Sequence, residues 1–303
     1  MRLSANDVLL RGLSALGVKN DKLKRYKKPV EYFKTQFGSY PVVLAQQWDD
    51  LIETDIPEAK LTVSERTGKG FTSFLIAHYF LWTYPKNYNL IHTAFGVGKN
   101  KVTGESLWKW VGKIQALKPL KIVWRDHLDD PNTEVFIITV DGTDCAIWEQ
   151  KHPIFYKDTR YFTKKKNCAG LTYEIGVAIF RDEICWLFGP NPSGRGDNVG
   201  FVEDGLRDKI ADGKKAVADK GYNTRDEVAK SKLALPNSRS HPAVDKFKSR
   251  ARCRHESVNG RIKSFGSMAQ MWRHGIDKHQ MAFEAVVVTI QYQLENGAFL
   301  FEV

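Results

Sequence analysis

From Val63 to about Leu120 apolar residues recur at helical spacing, and beyond Pro119 they gather into short continuous runs. The first pattern predicts a helix over Phe71–Tyr84, stopped by Pro85, which cannot continue a helix. A short helix over Asn89–Phe95 follows, then a turn at Gly96-Val97-Gly98. The next helix starts at about Asn100, with Leu107, Val111 and Ile114 on one face. The second pattern predicts strands at Val135–Val140, Leu171–Phe180 and Ile184–Phe188, the last two joined by a hairpin at Arg181-Asp182-Glu183. A helix at Val202–Ile210, short strands at Ala216–Ala218 and Lys232–Leu235, and helices at Ala243–Phe265 and Lys278–Glu295 complete it. The expected organisation is a helical region, 1–122, followed by a mixed α/β domain on one sheet, 123–303.

Helix, Gly-containing turn, helix at about 86–118 is the pattern of a helix-turn-helix, whose second helix can enter a DNA major groove. FGVGKNKVTGE is similar to the FGVSxxTV stretch of many such motifs, which makes Lys99 and Lys101 candidate DNA contacts. An ordinary helical hairpin has the same pattern. Charge keeps nucleic acid in view: 46 Lys and Arg against 35 Asp and Glu give +11, as suits a polyanion partner. Cys145, Cys168, Cys185 and Cys253 form no CxxC pair, which argues against a disulfide scaffold or a structural zinc. A reducing compartment, nucleus or cytosol, is expected. The opening residues lack a secretory signal, and no apolar run reaches membrane-spanning length.

Three carboxylates stand out by position. Asp141 ends the apolar run in TVDGTDCAIW, at a sheet edge where sites in open α/β sheets lie, although Asp-Gly after a strand is also a hairpin signal. Asp144 is a second acid three residues on and faces solvent if the chain turns back there. Asp219 follows a short apolar strand in KAVADKGYNT, where Gly221 permits a tight turn. Glu256 lies in FKSRARCRHESVNGRIKSF, an amphipathic helix with Phe247, Ala251, Val258, Ile262 and Phe265 as its apolar stripe. It shares the opposite face with Arg252, Asn259 and Lys263. Each acid alone has a plain alternative, a turn residue or an ion-pair partner of Arg252. Together, two acids at strand ends and one on a later helix suit hard, oxygen-preferring cations such as Mg²⁺ acting in pairs on a phosphodiester.

VDGTDCAI (Val140–Ile147), GLTYEIGVAI (Gly170–Ile179), ADKGY (Ala218–Tyr222) and RARCRHESVNGRIKSF (Arg250–Phe265) follow one another in an order that resembles the Harbinger-type transposases and the nucleases derived from them, members of the DDE endonuclease group. WRHGIDKHQMAFEAVVVTIQYQ adds a weaker match. The resemblance implies a ribonuclease-H-like catalytic domain, a mixed central sheet flanked by helices, beyond an all-helical region. It implies Asp141, Asp219 and Glu256 as catalytic acids holding two divalent metal ions, Mg²⁺ with Mn²⁺ as substitute. Many relatives carry His where Asp144 stands. GPNPSGRGDNVGF resembles the family's PGSxHD loop, with Asp197 at its acid, so Asp144 and Asp197 are secondary candidates.

The implied reaction is hydrolysis of a DNA phosphodiester, freeing a 3′-hydroxyl that a complete transposase directs at target DNA. Lys220, Arg252, Arg254, Arg261 and Lys263 would hold phosphates. Implied partners are DNA and a separate Myb-like protein; a homodimer is left open. Nuclear location is expected, and KLKRYKK (Lys22–Lys28) and KKK (Lys164–Lys166) are candidate import stretches, although short basic runs are also ordinary surface. Two rivals stand beside the nuclease: a domesticated DNA-binding protein of the same fold that no longer cuts, and a helical interaction module fused to an inactive α/β scaffold.

Overall fold

The computed structural model describes residues 2–18, 28–98, 103–132, 134–148, 158–163, 165–237 and 241–303. In chain order the helices are α1 (Ala5–Ala15), α2 (Pro29–Phe37), α3 (Pro41–Glu53), α4 (Gly68–Thr83), α5 (Tyr88–Phe95), α6 (Gly104–Gln115) and α7 (Lys118–Lys121). Strands β1 (Phe136–Ala146), β2 (Phe162–Thr163), β3 (Cys168–Ala178) and β4 (Ile184–Pro192) follow. After them come α8 (Asp197–Glu203), α9 (Leu206–Lys209), β5 (Lys215–Val217), α10 (Glu227–Lys232) and β6 (Leu233–Ala234). The last elements are α11 (Pro242–Ser264), α12 (Gly266–Ala269) and α13 (Ile276–Glu295). No helix among the described residues is long and apolar enough to cross a membrane.

The chain divides into two compact units, the first comprising Met1–Lys121, Ile262–Gln270 and His274–Ala298. It is helical. Ser4 opens α1 with a capping box, its hydroxyl accepting from the Asp7 N–H at 3.1 Å while Asp7 accepts from the Ser4 N–H at 3.0 Å. Prolines begin α2 and α3, where a missing N–H costs nothing. Trp48 sits at the centre, edge-on to Phe71 at 5.0 Å and stacked on Trp110 at 6.0 Å. α13, which the sequence places in 123–303, packs against α3, α6 and α7 of this unit. The Tyr292 hydroxyl donates to Asp50 at 2.5 Å, and the Lys121 ammonium lies 4.1 Å above the same ring. Gly96 in the left-handed region closes α5 at φ 58°, and Thr103 caps α6 four residues later than expected. Lys99 and Lys101 lie outside the described residues.

His78 is fully buried in α4, against Phe74 at 4.6 Å, and neither ring nitrogen has a hydrogen-bond partner. Burial pushes its imidazole down to about 3. The unfolded chain binds that proton near 6.5, so stability is complete above that pH and declines on acidification. We expect wild type to lose roughly 3 kcal/mol relative to His78→Leu between pH 7 and 4. Parallel melting curves against pH check this, and equal slopes would refute it.

The second unit comprises Ile122–Arg261, Met271–Arg273 and Phe299–Val303. Its sheet runs β2-β3-β1-β5-β6, with β4 on β3. β3 is antiparallel to β1 and to β4, whereas β5 is parallel to both β1 and β6. This is a mixed sheet flanked by helices. Side chains alternate along β1. Ile138 and Val140 pack with Phe201, Leu206 and Tyr222 on the α8 side. On the other side, the Thr139 hydroxyl lies 2.8 Å from His255 Nδ1 of α11.

β1 does not turn at Asp141-Gly142. Its register with β3 continues unbroken from Ile138–Ala178 to Ala146–Gly170, so Asp141 lies within the strand. The ladder to β3 carries the chain through the Asp-Gly pair that would otherwise make a hairpin.

Candidate active site

Alternation on β1 sends Asp141 and Thr143 toward α11, and Gly142 and Asp144 toward α8. On the α11 side, Asn259 Nδ2 donates to Asp141 Oδ2 at 3.0 Å, and the Thr143 hydroxyl donates to Asn259 Oδ1 at 2.6 Å. The Gly142 N–H donates to the other Asp141 oxygen at 2.9 Å. Glu256 stands one helical turn before Asn259, exposed on α11. Burial, the facing charge of Glu256, and those of Asp219 and Asp197 push the Asp141 carboxyl up to about 7. Glu256 and Asp219 thus both act electrostatically on Asp141 although the three are far apart in the chain.

Asp219 lies two residues past the end of β5, exposed, and caps the turn after it by accepting from the Gly221 N–H at 2.7 Å. Asp197 begins α8 and lies against Gly142 and Gly221. A Cβ at Gly142 would stand 2.7 Å from one of its oxygens. A Cβ at Gly221 would stand 2.9 Å from the other, and 2.9 Å from Asp219 Oδ1. At both glycines a side chain would require these carboxylates to shift. Burial, with Asp219 and Asp144 nearby, pushes Asp197 up to about 6. Asp144 is half-buried, its carboxylate against the Thr172 hydroxyl.

Below Asp197 lies a cavity of ≈ 20 Å³, room for one water, bordered by Gly142, Thr172, Glu174, Arg195 and Tyr222. Burial drives Glu174 up to about 8 despite the Trp186 indole N–H donating to it at 2.9 Å, so it is a neutral acid at pH 7. The Tyr222 hydroxyl is buried without a hydrogen-bond partner. Arg195 is held by Asp204 at 2.7 Å and Glu203 at 2.9 Å.

The expected phosphate-binding cations separate. Lys220 is exposed beside Asp219, and Arg252 is half-buried on α11. Arg254 is 3% exposed, and its guanidinium donates to the Phe301 and Arg181 carbonyls and to Asp182, which removes it from the phosphate-binding set. Arg261 donates to the Phe299 carbonyl at 3.1 Å. Lys263 is half-buried and lies past Arg261, where the second unit's share of α11 ends.

Donors around Asp141, Asp219 and Glu256 are carboxylate and amide oxygens, which suit a hard divalent cation; burial raises Asp141 most, and the repulsion that adds to it is of the kind such a cation relieves. In donor chemistry the residues fit. Among the described residues no three His, Cys, Asp or Glu side chains are gathered closely enough to enclose an ion.

Asn259 carries the least anticipated role; only its place on the helix face of Glu256 signalled it. Asn259→Ala releases one oxygen of Asp141, and any divalent-dependent reaction at these acids should then fall about 10- to 100-fold, as losing a partner that orients a ligand does. Titrating the metal against rate checks this: a raised half-saturating concentration is expected, and an unchanged one would exclude the role.

No curated protein and no solved structure matches the chain. A family model for DDE superfamily endonucleases matches residues 140–291, a span that takes in β1 from Val140 onward, the Asp197 and Asp219 segments and all of α11. With half of its length so matched, the chain belongs to the DDE superfamily endonucleases.

Proposed function

We propose that this chain cleaves DNA phosphodiesters with two divalent ions held by Asp141, Asp219 and Glu256, and that the 3′-hydroxyl so freed can be joined to target DNA. The observation that carries this reading is the coupling of Asp141 to both Glu256 and Asp219 within a family match that spans all three. The strand order, with β3 antiparallel to β1 and β5 parallel to it, supports a ribonuclease-H-like domain. Bound Mg²⁺ or Mn²⁺ would supply Lewis-acid stabilisation to the attacking and leaving oxygens. Asp141 offers oxygens fixed by Gly142 and Asn259. Asp219 offers one from a rigid turn, and Glu256 one from a helix that also presents Arg252. Lys220 and Arg252 stand where they could hold the flanking phosphates.

The helix-turn-helix reading of α5 and α6, an accessory Myb-like protein, a homodimer and nuclear location belong to the same proposal. Plasmid nicking by the full chain with Mg²⁺ or Mn²⁺ tests it. Binding without nicking under either metal would favour the non-cutting DNA-binding protein instead.

A further inference from the structure

The run at Lys164–Lys166 has so far had only a transport reading. Lys164 lies outside the described residues; Lys165 and Lys166 are exposed. They occupy the turn of the β2–β3 hairpin, in which Phe162 faces Ala169 and Thr163 faces Cys168. Asn167 turns the chain in the left-handed region at φ 52°, and Thr163, 2% exposed, anchors the base. The hairpin leads directly into Gly170–Thr172, which pair with Ala146–Asp144 of β1. The two lysines are thus delivered to the acid end of β1, on the flank away from α11.

One contact and one electrostatic effect show how near they come. The Lys166 ammonium donates to the Asp144 carbonyl at 3.1 Å. The charge of Lys165 partly offsets the upward push that burial, Asp219 and Asp144 exert on Asp197. A hairpin tip that served only as solvated surface or as an import signal has no reason to be directed at the carboxylates. Duplex DNA brings one negative charge per roughly 1.7 Å of its axis. At Asp141 it also meets the charge of Asp197, which acts on that carboxyl. Arg252 and Glu256 share α11, on the other flank of β1. Cations on the flank away from α11 offset the repulsion there.

We infer that Lys165 and Lys166 bind the DNA sugar–phosphate backbone beside the carboxylate site, fixing the strand's approach from the α8 side of β1. This rests on the nuclease reading for its purpose, but its test reads binding separately from cleavage.

Anisotropy of a fluorescent DNA duplex with the full chain in EDTA measures affinity from about 50 to 200 mM salt. For Lys165→Glu/Lys166→Glu we expect affinity to fall at least about tenfold at the upper end, with the log–log salt slope shallower by about 2. Lys165→Gln/Lys166→Gln should give the same loss of slope with a smaller loss of affinity, and unchanged melting curves verify the fold. In Mg²⁺-dependent nicking, half-saturating DNA should rise while the maximal rate holds. Unaltered affinity and slope would overturn the inference, as would a wild type that binds no duplex. A lowered maximal rate at unaltered affinity would also overturn it, because the lysines would then act on the acids. Wild type that binds but never nicks defeats the nuclease reading alone, and the anisotropy comparison still decides the hairpin.

Discussion

Asp141→Asn and Asp219→Asn should each abolish divalent-dependent nicking, by on the order of 10³-fold or more, about 4 kcal/mol of lost transition-state stabilisation. The amide keeps the size and one acceptor oxygen but removes the charge a divalent cation needs. Asp141→Asn should also make the metal-free protein more stable at pH 8. The folded carboxyl titrates at about 7 against 3.8 for the free group. Between those values the folded chain holds the extra proton, so this group's contribution falls as pH rises and is least favourable above 7. Asn removes that cost, a few kcal/mol at pH 8. Mg²⁺ should raise the melting temperature of wild type, since binding to the folded state alone stabilises it, and should leave Asp141→Asn unmoved. Nicking that survives either substitution would remove the acids from the chemistry. A variant less stable than wild type in EDTA would contradict the repulsion at Asp141.

Those acids were legible because each follows or interrupts a strong local pattern: the apolar run of β1, the run before Asp219, the apolar stripe of α11. What surrounds them was less so. Asp-Gly signals a turn as readily as a crossing strand, and only the ladder to β3 and the carboxylate of Asp197 over Gly142 decide for the strand. Asp197 itself could be singled out only by resemblance, because a loop acid carries no periodicity. Glu174 looked like one polar residue in an apolar run. In place, it is a neutral acid beneath the site, beside a Tyr222 hydroxyl with no hydrogen-bond partner, and both depend on three-dimensional burial. α1, α2 and α3 carry start signals, the capping box at Ser4 and the prolines at 29 and 41, ahead of the stretch whose helical spacing predicts α4 to α6. α13 is buried on every side over Ala282–Tyr292, so its sequence does not say which layer it covers; its packing on α3, α6 and α7 is decided by pairs such as Tyr292–Asp50.

Arg254→Met should destabilise the second unit by on the order of 3 kcal/mol, with no change in the salt slope of DNA binding measured on the folded fraction. Counting cations along α11 placed Arg254 with Arg252 as a phosphate ligand, since charge per turn cannot distinguish a buried guanidinium from an exposed one. In the structure its donors are committed: Nη1 to the Phe301 carbonyl at 2.6 Å, Nη2 to the Arg181 carbonyl at 2.7 Å and to Asp182 at 3.0 Å. Asp182 also accepts from the Leu300 N–H at 2.8 Å, so one guanidinium ties the β3–β4 turn and the segment 299–303 to α11. Removing it strands two carbonyls and a carboxylate that have lost their cation, whereas a backbone-binding lysine can be removed without cost to the fold. Opposite outcomes therefore separate the two kinds of residue. Arg254→Met should lower the melting temperature and keep the slope, while Lys165→Gln/Lys166→Gln should keep the melting temperature and lower the slope. A shallower slope in a fully folded Arg254→Met protein would return this residue to the DNA interface.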